Sequence, residues 1–199
     1  FPDGTTGALI PFEFGYTPTA AFHGLPGSYK VGAWYNTSDS ADLMQGADRQ
    51  PLGTTSVGAL QRDGAYGAYL NFQQQVSGVA GESGATVFLN VSQADKFTAA
   101  TDRQVAFGLE YKGAFDRPAD VIGVALGATH GNGRRANAQR LANSSVVNGG
   151  EEVAAEVFYG WSPMKAIVIR PNLQYIVHPG GTTQNDNAVV FGLKTSIAF

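Results

Sequence analysis

Apolar and polar residues alternate one by one along the last stretch of the chain, NAVVFGLKTSIAF, at residues 187–199. Successive side chains of a β-strand point to opposite faces, so a period of two predicts a strand with one apolar and one small or polar face. The apolar face would carry Val189, Phe191, Leu193, Ile197 and Phe199, with Thr195 among them.

The same period recurs along the chain and predicts nine β-strands, with no convincing helical stripe between them. Each segment is close to the ~9–11 residues that a tilted strand needs to cross a bilayer. We find no domain boundary and no low-complexity tract in the sequence. The predicted strands are residues 7–16, 28–36, 64–75, 85–93, 103–112, 120–129, 151–161, 165–177 and 187–199.

Two folds explain this alternation: a soluble β-sandwich with its apolar face inside, and a membrane barrel with its apolar face toward lipid. Three features favour the barrel. The segments are long beside the ~5–6 residues of an average strand. The opposite face is rich in Gly and Ala and carries few charges. Aromatic residues gather at strand ends, where an interfacial girdle would lie: Tyr16, Tyr111, Trp161 and Phe199.

The connections between the predicted strands alternate in length. Long connections at 37–63 and 131–150 alternate with short ones such as 113–119 and a predicted turn at 162–164. Outer-membrane barrels have this pattern, with tight periplasmic turns and longer outside loops. The sequence therefore predicts an all-β, antiparallel, up-and-down transmembrane β-barrel. Since such barrels have even strand counts, nine strands lead us to expect further strands upstream.

Composition removes several classes of function. A net charge of −3, from 13 basic and 16 acidic residues, gives no reason to expect nucleic acid as a partner. The absence of cysteine excludes disulfides and thiolate chemistry. His23, His130 and His178 lack metal-ligand spacing. The stretch GATHGNGRR, residues 127–135, lacks the P-loop Lys-Ser/Thr and is interpreted as an exposed loop. We expect no enzyme activity, no metal and no cofactor.

The C-terminal part of the chain resembles the OprB-type carbohydrate-selective porins. The resemblance rests on EEVAAEVFYGWSPMKAIVIRPNLQYIVHPGG and AVVFGLKTSIAF, and more loosely on LPGSYKVGAWYNTSD. His178 stands where Asn is common in that family, and Arg170 where Gln is common. The matching residues are Glu156, Phe158, Tyr159, Pro171, Leu173, Gln174, Tyr175, Ile176, Pro179, Gly180, Gly181 and Phe199.

The resemblance implies that residues 1–199 are the C-terminal portion of one barrel domain of roughly sixteen strands. It implies an integral protein of a Gram-negative outer membrane, in contact with lipid, that lets sugars diffuse through a water-filled channel. Phe199 matches the terminal aromatic residue that such proteins present to the barrel-assembly machinery. The protein could also form a homo-oligomer. Three alternative functions stay open: a general porin, a porin for another substrate, and a soluble sandwich that binds a partner.

The polar face then becomes the lumen wall, and its chemistry suits sugars. Carboxylates, a guanidinium and amides can pair with hydroxyls, while aromatic rings can stack on C–H faces. Mixed charge signs argue against a strongly ion-selective pore. The simpler interpretation is that each residue only keeps the lumen wet or pairs with a neighbour. The predicted substrate-binding residues are Glu156, Arg170, Asn172, Gln174, Lys194, Phe158, Glu110 and Trp34.

Overall fold

The computed structural model describes residues 7–198, so the predictions for Phe199 lie outside the described residues. Most of this region is β-strand, with one short α-helix. The strands are β1 Leu9–Tyr16, β2 Gly27–Asn36, β3 Ser40–Gly46, β4 Ala59–Arg62, β5 Ala65–Gln75, β6 Gly84–Ala94, β7 Thr101–Lys112, β8 Val121–Gly131, β9 Glu151–Met164, β10 Ile167–Val177 and β11 Ala188–Ile197, and the helix is α1 Gly133–Leu141.

Nine of these strands form one sheet in the order β1-β2-β5-β6-β7-β8-β9-β10-β11. Every neighbouring pair is antiparallel, and the main strands neighbour one another in chain order. The nine predicted strands and their up-and-down connectivity are therefore confirmed. Within residues 7–198 the sheet is open, because β1 and β11 each pair along one side only.

The pairing register confirms that the two faces differ in chemistry. Gln174 lies opposite Glu156 on one face, and Leu173 lies opposite both Val157 and Phe191 on the other. Phe191 is 81% exposed. Across the described residues no second layer covers this apolar face, although a sandwich would bury it.

The long connection after β2 is more ordered than the sequence predicts. Strands β3 and β4 pair within it as a separate two-stranded sheet. The four-residue β4 is too short for an alternation test to detect. Successive connections lie at alternate ends of the main sheet. We call the end with the connection after β2 the long-loop end, and the opposite end the short-turn end.

The interpretation of residues 127–135 as an exposed loop is wrong. Strand β8 continues to Gly131, and buried Asn132 caps α1 by accepting a hydrogen bond from the Arg134 amide at 2.8 Å. The helix GRRANAQRL buries only Ala136 and Ala138, so it has no apolar stripe to detect. Among residues 7–198, no helix has both the length and the apolar character needed to cross a membrane.

The predicted turn at residues 162–164 is also displaced. Strand β9 runs on to Met164, and the turn consists of Lys165 and Ala166. The β9–β10 register is irregular here, between the pairs Met164–Ile167 and Trp161–Ile169. A proline cannot donate to a strand ladder, but a bulge removes that requirement, so Pro163 can remain within a strand.

Candidate functional site

Six of the eight predicted site residues meet on the polar face of the last three strands. Strands β9 and β10 pair so that Glu156 lies opposite Gln174 and Phe158 opposite Asn172. Strand β11 then places Lys194 directly opposite Arg170. We call this group the Arg170 patch: Glu156, Phe158, Arg170, Asn172, Gln174 and Lys194.

Arg170 stacks on the ring of Phe158. The guanidinium carbon lies 3.2 Å from the ring centroid, a close cation–π contact. The ring lies over Gly123 of β8 and is only 4% exposed. The prediction that Phe158 offers a ring face to sugar therefore does not fit the geometry, because Arg170 and the wall cover the ring. Phe158 instead supports the guanidinium from below.

Glu156 connects the two long polar side chains of β10. One of its carboxylate oxygens accepts a hydrogen bond from Gln174 Nε2 at 3.0 Å, and the other lies 3.7 Å from Arg170 Nη2. The Arg170 and Glu156 side chains remain 33% and 26% exposed. The patch therefore presents a positive donor and a negative acceptor side by side to the water above it.

Asn172 occupies the floor of the Arg170 patch. Its side-chain oxygen is buried and has no hydrogen-bond partner among the described residues. A methyl group added at Gly192 would lie only 2.2 Å from that oxygen. The amide oxygen therefore points along the sheet toward β11, and Asn172 presents less polar surface on the polar face than the sequence predicts.

Glu110 extends the patch, but Trp34 does not. Glu110 of β7 lies opposite Gly123 and shares a depression of about 180 Å³ with Phe158 and Arg170. Trp34 lies on β2, where its ring covers Gly67 of β5. Strands β5 to β8 separate Trp34 from β9, so the structure does not bring it to the Arg170 patch.

A buried charge cluster lies at the long-loop end and was not predicted from the sequence. Arg62 of β4 and Arg134 of α1 each lie 2.7 Å from the carboxylate of Asp42, which is 1% exposed. Both guanidinium groups also lie over the ring of Phe97, at 4.2 and 4.7 Å. We call these four residues the loop clamp. It joins the β3–β4 sheet, the β6–β7 connection and α1 into one cap.

The Asp42 carboxylate stays ionised far into the acid range. Burial alone would raise its pKa, but hydrogen bonds from the Met44 amide, Arg134, the Gln45 amide and Arg62 outweigh burial and lower the pKa to about 2. No local sequence pattern predicts this cluster, because Asp42 and Arg134 are 92 residues apart in sequence.

A second buried carboxylate fixes the short-turn end. Asp120 lies 2.5 Å from Arg117 Nε, accepts a hydrogen bond from the Ser162 amide at 2.9 Å, and bonds the Tyr159 hydroxyl. Burial opposes ionisation, but these hydrogen bonds lower the Asp120 pKa to about 2. The connection after β7 is thereby tied to the end of β9, next to the Arg170 patch.

The acidic and histidine residues do not converge on a metal site in residues 7–198. His130 of β8 places Nδ1 2.7 Å from an Asp102 carboxylate oxygen at the long-loop end. That pair joins β7 to β8 and lies away from the Arg170 patch. The chemistry available at the patch is hydrogen bonding and charge.

We expect a methyl group at Gly123 to disturb the Arg170 patch. An added Cβ would lie 2.4 Å from two carbons of the Phe158 ring, so the ring must move from beneath Arg170. Overpacking of this kind typically costs about 1–3 kcal/mol. Gly123→Ala should therefore lower the unfolding temperature of the full-length protein, as measured by heat-dependent migration on a denaturing gel.

Gly127 provides the matched control for that substitution. It lies on the same strand and face, but an added Cβ would have its nearest neighbours at 3.8 Å. Gly127→Ala should leave the unfolding temperature unchanged. Equal behaviour of the two variants would show that Phe158 is not held against Gly123.

The fold and the site together give a sheet with one apolar face and one face lined with hydrogen-bonding groups of both charge signs, which is the pattern of a porin wall. The model of the family described as "Carbohydrate-selective porin, OprB family" matches residues 1–199. The chain belongs to the OprB family. Membership of a porin family indicates a channel rather than an enzyme.

Individual relatives agree with this assignment. The chain is 36% identical to Porin B of Pseudomonas aeruginosa over 98% of this chain and 46% of that protein. It is 34% identical to the putative porin QuiX of Acinetobacter baylyi, over 97% of this chain and 45% of that protein. The chain therefore spans about half the length of the curated relatives it matches.

Solved structures show the same fold. The high-pH structure of Pseudomonas putida OprB superimposes with a TM-score of 0.93 at 33% identity, over 100% of this chain and 50% of that one. The low-pH structure of the same protein gives 0.62 at 29% identity, over 98% and 47%.

Proposed function

We propose that this chain forms about half the wall of a sugar-conducting channel in the outer membrane of a Gram-negative bacterium. The observation that carries the proposal is the Arg170 patch. Arg170 and Glu156 lie side by side, partly exposed, on the polar face of a sheet whose opposite face is apolar. A neutral ligand with many hydroxyls can use both groups at once, as donor and as acceptor.

Sugar passes this wall by weak, replaceable contacts. The Arg170 fork donates to neighbouring hydroxyls and Glu156 accepts from them. Water competes for the same groups in an open lumen, so each hydrogen bond contributes little. A channel requires this, because a ligand that binds too tightly does not leave.

The open edges of the sheet support the proposal that further strands of the same protein complete a barrel. Strands β1 and β11 each have one unpaired side within the described residues. Unpaired backbone groups are not tolerated in the hydrocarbon region, so both edges need partners there. A barrel of roughly sixteen strands, a size that leaves an aqueous channel, would supply them.

Exposed apolar residues such as Phe12, Phe191 and Leu193 support contact between the outer face and lipid. Phe199 continues the apolar period of β11 beyond the described residues, and we assign it a role in recognition by the barrel-assembly machinery. A Phe199→Asp variant with undiminished amounts in the outer membrane would contradict that role.

One observation favours a second candidate, a channel for sugar acids or other organic anions. Lys194 lies opposite Arg170, so two cations are adjacent on β10 and β11. Glu156 lies 3.7 Å from Arg170, and Glu110 borders the same depression as Arg170, so two carboxylates offset the charge of Arg170. We therefore prefer neutral sugars to anions as the proposed substrates.

Swelling of vesicles that contain the full-length porin distinguishes the two candidates. Glucose and gluconate are similar in size, and only gluconate is charged. We expect faster swelling in isotonic glucose than in gluconate. Faster swelling in gluconate would favour the anion channel, and no swelling in either solute beyond that of empty vesicles would contradict both.

A further inference from the structure

The polar wall has a second depression, several strands away from the Arg170 patch. It has a volume of about 410 Å³, within the usual range of small-molecule sites. Lys30, Asn71, Phe88, Asn90 and Glu110 are among the residues that line it. Asn71 and Asn90 lie directly opposite each other on β5 and β6.

The groups that line this second depression suit a neutral ligand. Neither the Asn71 nor the Asn90 side chain has a hydrogen-bond partner in the region the structure describes, and Asn90 is exposed. A side-chain amide both donates and accepts, as a sugar hydroxyl does. The charge of Lys30 is offset by Glu13 at 3.1 Å. The Phe88 ring lies over Gly108 and, unlike that of Phe158, is only half-buried.

Shared residues connect the depressions into one path. Glu110 borders both the depression at Arg170 and the one at Asn71 and Asn90. The two asparagines also border a third depression of about 200 Å³, which includes Gln104. Gln104 and Glu110 are six residues apart on β7, or about 20 Å along the strand. The path therefore descends from the long-loop end toward the short-turn end.

We propose that Asn71 and Asn90 form a second sugar-binding station, nearer the long-loop end than the Arg170 patch, and that Glu110 contacts the sugar as it passes between the two. We call this pair of asparagines the upper station. The proposal rests on the proposed function and adds the order of contacts. A neutral sugar arriving from the long-loop side meets the upper station first, and one arriving from the short-turn side meets the Arg170 patch first.

One-sided titration of the full-length porin in planar bilayers tests this order. Glucose is added to one chamber, and its association rate is taken from the interruptions of single-channel ion current. An Asp39→Cys substitution in the long connection after β2 serves as an orientation marker, because a membrane-impermeant thiol reagent then reacts from the long-loop side only. Heat-dependent migration on a denaturing gel shows that each variant is folded.

We expect a double variant, Asn71→Ala with Asn90→Ala, to lower the association rate from the long-loop side about three- to tenfold, the effect of one or two ordinary hydrogen bonds. Its association rate from the short-turn side should stay unchanged. Arg170→Ala should show the reverse sidedness. Leu70→Ala, on the opposite face of β5, is the control and should change neither rate.

Equal changes from both sides in the asparagine variant, or no change from either, would overturn the upper station. A different result would contradict the proposed function: glucose added to either side does not interrupt the current of wild-type channels. The two failures are therefore separate outcomes of the same titration.

Discussion

Replacing Arg170 by alanine in the full-length porin is expected to weaken glucose block of the ion current about three- to tenfold, with the fold intact. The guanidinium is held by Phe158 beneath it and by Glu156 beside it, so its donors are ordered before sugar arrives. A hydrogen bond to a charged group contributes about 1.5–3 kcal/mol when desolvated, and less in a wet pore. We therefore expect an effect below that range, since tenfold corresponds to about 1.4 kcal/mol.

Leu173→Ala is the matched control, because Leu173 lies three residues later on the same strand but faces outward, opposite Val157 and Phe191. It should leave the glucose dissociation constant unchanged in a planar-bilayer titration. If both variants weaken block equally, the loss comes from a general change in the wall rather than from contact with sugar.

Asp42→Asn is expected to open the cap at the long-loop end. The substitution removes the negative charge between Arg62 and Arg134 and leaves two guanidinium groups without their partner. Breaking a buried ion pair costs on the order of 3 kcal/mol. That free energy corresponds to about a 100-fold larger population of the open cap. The measurement is the rate at which added protease cleaves residues 37–63 in the purified full-length porin.

Asp39→Asn controls for loss of a carboxylate in the same connection, since Asp39 is exposed. It should leave the cleavage rate within a factor of about two. Similar cleavage rates for the Asp42 and Asp39 variants would contradict the loop clamp.

We also expect the cap of the wild-type protein to open in acid, because the loop clamp depends on ionised Asp42. The folded pKa of Asp42 is lowered from 3.8 to about 2, so ionised Asp42 stabilises the cap fully above about pH 4. That contribution is lost as the pH falls through 2. Pepsin, which is active in acid, should cleave residues 37–63 increasingly fast between pH 4 and pH 2 in the wild type. In Asp42→Asn the rate of cap opening should depend far less on pH over this range.

The sheet could be predicted from the sequence because its cause is local. A strand such as β10 repeats every two residues, and that period assigns Arg170 to one face and Leu173 to the other without knowledge of any neighbour. The order of strands followed from the lengths of the connections. Both depend on residues that are close in sequence, so the sequence alone reveals them.

The cap could not be predicted because its cause is remote. Helix α1 has no apolar stripe and is held instead by the Asn132 cap and by contacts of Arg134 with Asp42 and Phe97. The covering of Phe158 was missed for a related reason. It depends on neighbours from two other strands, Gly123 and Arg170. The β9–β10 register is also irregular next to the displaced turn at Lys165 and Ala166.

An experimental structure of the full-length porin with glucose bound would test the sugar-binding role of this wall most directly. We expect sugar density against the part of the wall built by this chain, with hydroxyls within hydrogen-bond distance of Arg170 and Glu156. Glucose held only by residues of the other half of the barrel, with Arg170 and Glu156 contacting water alone, would contradict it.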